Sequence, residues 1–139
     1  GIDSLSREVS RFNDPHDLKM DSQGRLFVAD HGNNRIQIFS QQGELLSIWT
    51  QFGRPRGIWI DDNEKIYVAD GMSGDQWNPG WQRGIRIGDA KTSWITDFIP
   101  DYEVQNGSGI EFLATDAEGN IYAGQVGRQR FEKYVRVRP

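Results

Sequence analysis

The chain contains no cysteine. That absence excludes disulfides and cysteine-ligated zinc, and it is compatible with every cellular compartment. Long apolar runs are missing as well. No window approaches the about 18 consecutive apolar residues of a membrane helix, so no membrane span is expected. No charged segment followed by an apolar stretch opens the sequence at Gly1, so no signal peptide is expected within it. Basic residues are in deficit, with 16 Lys and Arg against 20 Asp and Glu for a formal charge of -4. A nucleic-acid binder needs the opposite balance to displace counterions, so no nucleic-acid partner is expected. The Ser-His-Asp order of a hydrolase, a phosphate-binding Walker loop and a dinucleotide fingerprint are all absent. Hydrophobic residues reach only 36%, yet aromatics supply 12% and there are 16 glycines. Thin cores of short, aromatic-rich strands and glycine turns have that composition, whereas helical bundles do not.

What is present is a repeated phrase. An apolar run closes on an aspartate, a short turn follows, and a second run ends in Ala-Asp or its equivalent. The copies occupy residues 18–30, 58–70 and, more loosely, 113–125. Asp30 and Asp70 stand 40 residues apart, and Gln125 follows Asp70 by 55. A period near 40 with several short strands per unit is the signature of a β-propeller blade. Three blades fall short of the about 4 to 8 that close a ring.

The 139 residues make one all-β domain, a partial propeller over 1–139. Blade one spans about 12–50, blade two about 52–100 and blade three about 108–138. In blade one the predicted strands are Leu18–Asp21, Leu26–Asp30, Arg35–Phe39 and Leu45–Trp49, with Gly24 turning the first hairpin. Blade two repeats this up to Asp70 and then carries an insertion, Gly71–Gly84, before the strand Ile85–Ile87. Blade three runs to a third strand, Arg130–Val135, and lacks its outer strand. Glu64 occupies the turn position held by Gly24 and Gly119, so this turn is expected to shift its left-handed residue to Asn63. Arg128, Arg130, Lys133, Arg136 and Arg138 alternate with apolar residues and read as the solvated face of an edge strand.

Several of these segments resemble a known family. Phe12-Asn13-Asp14-Pro15-His16-Asp17-Leu18, the Val-Ala-Asp strand ends and Asn34-Arg35-Ile36-Gln37-Ile38-Phe39 look like NHL repeats. More narrowly they resemble six-bladed bacterial propellers related to the peptidyl-α-hydroxyglycine α-amidating lyases. The stretch from Asn78-Pro79-Gly80-Trp81 through Gly88, with Phe98-Ile99-Pro100, is similar to the C-terminal blades of those proteins. The resemblance implies three four-stranded NHL-type blades forming half of a six-bladed ring, and an extracytoplasmic location. It also implies zinc held by histidines that precede the innermost strands of different blades. His16, followed by Asp17, fits one such position; Arg56 and Glu111 stand at the equivalent places in blades two and three. His16 is therefore either a metal ligand, completed by other blades, or a residue bonded to neighbouring backbone. Zinc is the first candidate metal and calcium the second, although the calcium-binding residues of the sugar-lactonase propellers cannot be placed here.

Topology gives these residues a shared address. Starts of the innermost strands, loops between second and third strands, and linkers between blades all gather at one end of the ring. His16, Asp17, His31, Arg56 and Glu111 converge there, at the channel mouth, together with the Trp77 and Trp81 insertion and the linker 101–108. Arg56 and Glu111 form either a ligand-selecting pair or a structural ion pair between blades. Trp77 and Trp81 are either a stacking platform for a sugar or peptide, or a lid over their own blade. Asn106-Gly107-Ser108 fits a glycosylation sequon and is equally a good turn. Two functions follow: a propeller binding a small polar or peptide ligand, or a protein partner, at its mouth; or a metal-dependent lyase-like enzyme completed by further blades. The ligand expected for the first is polar or anionic with an apolar portion, met by Arg56. Closure is expected through a homodimer or through N-terminal blades of a longer chain.

Overall fold

The computed structural model describes residues 11–103 and 108–137. Eleven strands form three antiparallel sheets. Blade one is β1 (Pro15–Met20), β2 (Leu26–Asp30), β3 (Arg35–Phe39) and β4 (Leu45–Trp49), in that spatial order. Blade two is β5 (Gly57–Ile60), β6 (Lys65–Asp70), β7 (Gly84–Asp89) and β8 (Ile95–Pro100), ordered likewise. Blade three has β9 (Phe112–Thr115), β10 (Ile121–Gln125) and β11 (Arg130–Tyr134), with no fourth strand among the described residues.

The aspartate that closes each innermost strand has a local job. The Asp21 carboxylate accepts the backbone N–H groups of Gln23 and Arg25 at 3.0 and 2.9 Å. Asp61 does the same for Asn63 and Lys65, and Asp116 for Glu118 and Asn120. Short polar side chains that bond their own backbone two and four residues on are natural turn formers. This clamp also settles the turn at Glu64. Gly24 and Gly119 take φ of 78° and 82°, and Glu64 itself takes 60°, so the expected shift to Asn63 does not occur. The register is held by Asp61, and a left-handed Glu64 costs about 1 kcal/mol. Two contacts offset this: the Glu64 carboxylate accepts Ser22 N–H of blade one at 3.1 Å, and within blade two its carbonyl accepts Ala90 N–H at 2.9 Å.

Two cores lie between the three sheets. Because side chains alternate along a strand, β6 sends Ile66 and Val68 toward Phe27, Ile36, Ile38 and Trp49 of blade one. It sends Tyr67 and Ala69 toward Ile110, Ile121 and Ala123 of blade three. Phe52, from the linker between blades, stacks on Trp49 with ring centroids 5.8 Å apart and closes the first core. Burying each such large side chain contributes about 1.5–3 kcal/mol.

A second device recurs at the end of the second strand. Asp30 is fully buried and accepts from Asn13 N–H, Asn33, Arg35 and Gln37 at 2.7–2.9 Å. Asp70, also fully buried, accepts from the backbone of Arg54, Met72 and Ser73, from the Ser73 hydroxyl at 2.6 Å and from Arg86 at 3.1 Å. In blade three the neutral Gln125 takes this place, and its Oε1 accepts from Arg128 and Arg130, both at 3.1 Å. The missing charge is restored by Asp101, 3.0 Å from Arg128. Arg128 is thus a buried ion-pair partner rather than part of a solvated face, because the blade needs a cation there. Arg130 pairs with Glu103 and Glu132, and Lys133 lies 5.3 Å over the Tyr122 ring. Arg138 lies outside the described residues.

Removing one partner of a buried charged network is costly. Asp70→Ala is expected to destabilise the chain by about 3–5 kcal/mol, whereas Asp62→Ala, at an exposed turn, should stay within about 0.5 kcal/mol. Urea denaturation of the two variants checks both values.

Candidate functional site at the channel mouth

The backbones of blades two and three nearly touch at the start of their innermost strands. A Cβ on Gly57 would lie 2.3 Å from the Glu111 carbonyl oxygen, so only glycine fits. That approach puts the neighbouring side chains in contact. Arg56 and Glu111 pair at 3.2 Å, with 16% and 8% of their side chains exposed. The same guanidinium donates to Met72 Sδ at 3.2 Å and, through its other terminal nitrogen, to His16 Nε2 at 3.4 Å. Ser108 Oγ donates to the Glu111 carboxylate. Arg56 Nε is buried without a partner. One arginine therefore joins side chains from all three blades and from the insertion.

The two histidines meet edge to face, with ring centroids 5.1 Å apart. His31 lies in a short 3-10 turn, His31–Asn33, and its Nδ1 is 3.2 Å from the Pro55 carbonyl, which makes that nitrogen the donor of a neutral ring. Burial, and next the charges of Arg54 and Arg56, lower its pKa to about 4. Asp17 does not point into this cluster as a ligand group. Its two oxygens accept Leu18 N–H and Ile58 N–H, both at 2.8 Å, tying blade one to blade two.

Trp77 and Trp81 stand apart from the Arg56 cluster. The Arg54 guanidinium lies 5.2 Å over Trp77 and that of Arg86 5.0 Å over Trp81. The tryptophans share with the cluster a cavity of about 700 Å³, which Met72 and Ser108 also line. Arg54 and Met72 were not foreseen as mouth residues. Nothing in the sequence marks Met72, and Arg54 carried only the signal of a cation near another in the linker. Of the sequon, Asn106 and Gly107 lie outside the described residues.

A second cavity, of about 580 Å³, opens at the opposite end between the hairpin turns of blades two and three. Two of its aspartates serve their own turns. Asp61 and Asp116 each hold two backbone N–H groups and a tyrosine hydroxyl.

Zinc of the kind the resemblance implies needs about four nitrogen or oxygen ligands, three of them from protein in a catalytic site. Among the described residues no three His, Asp or Glu side chains are arranged to hold a metal. The Arg56 guanidinium also occupies the lone pair of His16 Nε2. These residues alone do not fit the group.

Comparison with known proteins agrees with the architecture. The NHL repeat family model matches residues 12–39. Human NHL repeat-containing protein 3 is 51% identical over 132 residues, covering 91% of this chain, and the mouse protein is 46% identical over the same length. The chain is made of NHL-repeat β-propeller blades. It spans 36% of the length of these two relatives. The relatives are mammalian, whereas the resemblance drawn from the sequence was to bacterial members. Among solved structures, a streptogramin B lyase superposes with a TM-score of 0.62 at 16% identity, covering 86% of this chain and 36% of that one. A protein of unknown function from Bacteroides caccae gives 0.61 at 16% identity, covering 78% and 38%. At that identity the likeness speaks for the propeller fold alone.

His31 makes the mouth acid-sensitive. Its folded pKa lies below the unfolded value of 6.5, so its stabilising contribution is fully present above pH 6.5. As pH falls from 6.5 to about 4, the unfolded chain takes up a proton that the folded chain refuses, and on the order of 3 kcal/mol is lost. Urea midpoints measured across this range should fall more steeply for the parent than for His31→Gln.

Proposed function

We propose that these blades form a binding module, with the channel mouth as the recognition surface for a small polar or peptide ligand or a protein partner. The observation that carries this reading is Arg56, which links His16, Glu111 and Met72 at the point where three innermost strands begin. A guanidinium beside a carboxylate offers a donor and an acceptor together, the complement of a peptide amide or another neutral polar group. Its charge is already matched by Glu111, so a neutral polar ligand suits it better than a free anion. Arg56→Met should weaken such a ligand by about 1.5–3 kcal/mol. The double variant Arg56→Met with Glu111→Leu leaves no buried charge unpaired and separates recognition from folding. Thermal-shift screening of short peptides and small polar compounds checks this. A panel stabilising parent and variants equally would place recognition away from the mouth.

A metal-dependent lyase-like activity is the second reading. It draws on the position of His16 before an innermost strand and on the propeller fold shared with a lyase, and it needs ligands from blades beyond these three. Stoichiometric zinc in the purified chain, lost in His16→Ala, would favour it.

Ring closure belongs to the same proposal. The face of blade one turned away from blade two carries Leu18 and Met20, 55% and 53% exposed, and that of blade three carries Phe112 and Phe131, 56% and 72% exposed. Faces of this kind pack against further blades in a ring. A two-fold pairing of half rings would join them. The chain alone should then sediment as a dimer that Phe131→Asp dissociates. A stable monomer at micromolar concentration would assign closure to further blades of one longer polypeptide.

A further inference from the structure

The insertion between β6 and β7 leaves two of the five tryptophans in water, Trp77 at 42% and Trp81 at 37% exposure. A loop built only to cover its own blade would bury them, since each carries a large apolar surface. This loop holds them outward instead, and holds them still. Ser73 is fixed to the buried Asp70 through its hydroxyl and its backbone N–H. Asn78 donates to Ser73 Oγ at 3.1 Å, Arg83 to the Ser73 carbonyl at 3.1 Å, and Gly74 N–H to the Trp77 carbonyl at 2.8 Å. Arg54 and Arg86 pin the indoles, and each is itself held by a hydrogen bond or ion pair. Arg86 pairs with Asp70 at 3.1 Å, and Arg54 donates to Asn34 Oδ1 at 2.9 Å.

We propose that this insertion is a carbohydrate-binding platform, on which a pyranose ring lies against Trp77 and Trp81 with its hydroxyls turned to the cavity rim; the assignment rests on reading the mouth face as the binding surface. The rim is chemically suited. Exposed Gln76 and Gln82 each offer a donor and an acceptor on one planar amide, matching adjacent hydroxyls, and Asp75 adds an acceptor. The weakly positive C–H face of a pyranose complements the electron-rich indole face. A cationic ligand is disfavoured because guanidinium groups already lie over both rings. Asp75 and Arg83 on the same cavity wall balance one another, so the rim favours a neutral ligand, and a wholly apolar one would leave the amides unsatisfied. The cavity volume of about 700 Å³ accommodates a mono- or disaccharide.

The test uses the chain as it stands, with a glycan array followed by titration of methyl pyranosides of glucose, galactose, mannose and N-acetylglucosamine. Binding is read from the indole N–H resonances of the parent. The expected result is a saturable shift of the Trp77 and Trp81 signals by at least one glycoside. Affinity should fall about tenfold or more in Trp77→Ala and in Trp81→Ala, and stay unchanged in Trp94→Ala on the outer strand side of blade two. Because the signals are read in the parent, an unfolded variant does not leave the question open. If no glycan moves either indole, the proposal is overturned. Short peptides in the same assay then separate the two readings. A peptide lost with the tryptophan variants or with Arg56→Met would keep the mouth as the binding surface and exclude only the sugar. Binding of neither class at either place would remove both.

Discussion

Everything at the channel mouth hangs on the buried carboxylates, Asp30 and Asp70, that end the second strands of blades one and two. A charge removed from water must have every lone pair answered, so Asp70 gathers the linker before its blade, the first residues of the insertion and the Arg86 guanidinium of the third strand. Asp30 gathers Asn13, Asn33, Arg35 and Gln37 in the same way. Irregular segments with no hydrogen-bonded ladder of their own thereby acquire fixed positions. Blade three shows that the requirement is for the charge and not for the residue: Gln125 keeps the geometry while Asp101, arriving from the linker, supplies the carboxylate to Arg128.

From those anchors the mouth follows. Linkers fixed by buried carboxylates deliver Arg56 and Glu111 to the starts of β5 and β9, where a glycine allows the two strands to close together. The resulting pair is electrically balanced but incompletely hydrogen-bonded, with Arg56 Nε left without a partner. Stability alone is poorly served by such a pair, since apolar side chains of similar volume would fill the space at no desolvation cost. Its position at the mouth of a channel is what the proposed recognition role rests on.

Much of the fold was legible in the sequence, for reasons that are local. Leu26–Asp30, Arg35–Phe39 and Leu45–Trp49 form strands at the residues read from alternation, because period-two patterning and the aspartate turn act within a few residues of themselves. The convergence of His16, Arg56 and Glu111 was legible from topology, since every innermost strand starts at the same end. What they do to one another was not. The choice between an available guanidinium and a paired one depends on a contact 55 residues away, and the Met72 contact on the path of an insertion without periodicity. Glu64 failed the simple rule for the same reason: Ser22, which answers its carboxylate, belongs to another blade. Arg128 looked solvated because the acid that buries it lies 27 residues earlier, in a linker with no repeat to mark it.

The Asp17 clamp has a bearing on how any ligand in the channel is read. Innermost strands present their outer backbone edge to the central space, and an extended peptide entering it would ordinarily add itself there as a further strand. Asp17 already takes the amide protons of Leu18 and Ile58 on two adjacent blades. At those positions the backbone has nothing left to donate. A chain threading this side of the channel finds those two amides already taken, so strand addition across the join of blades one and two loses two of its donors.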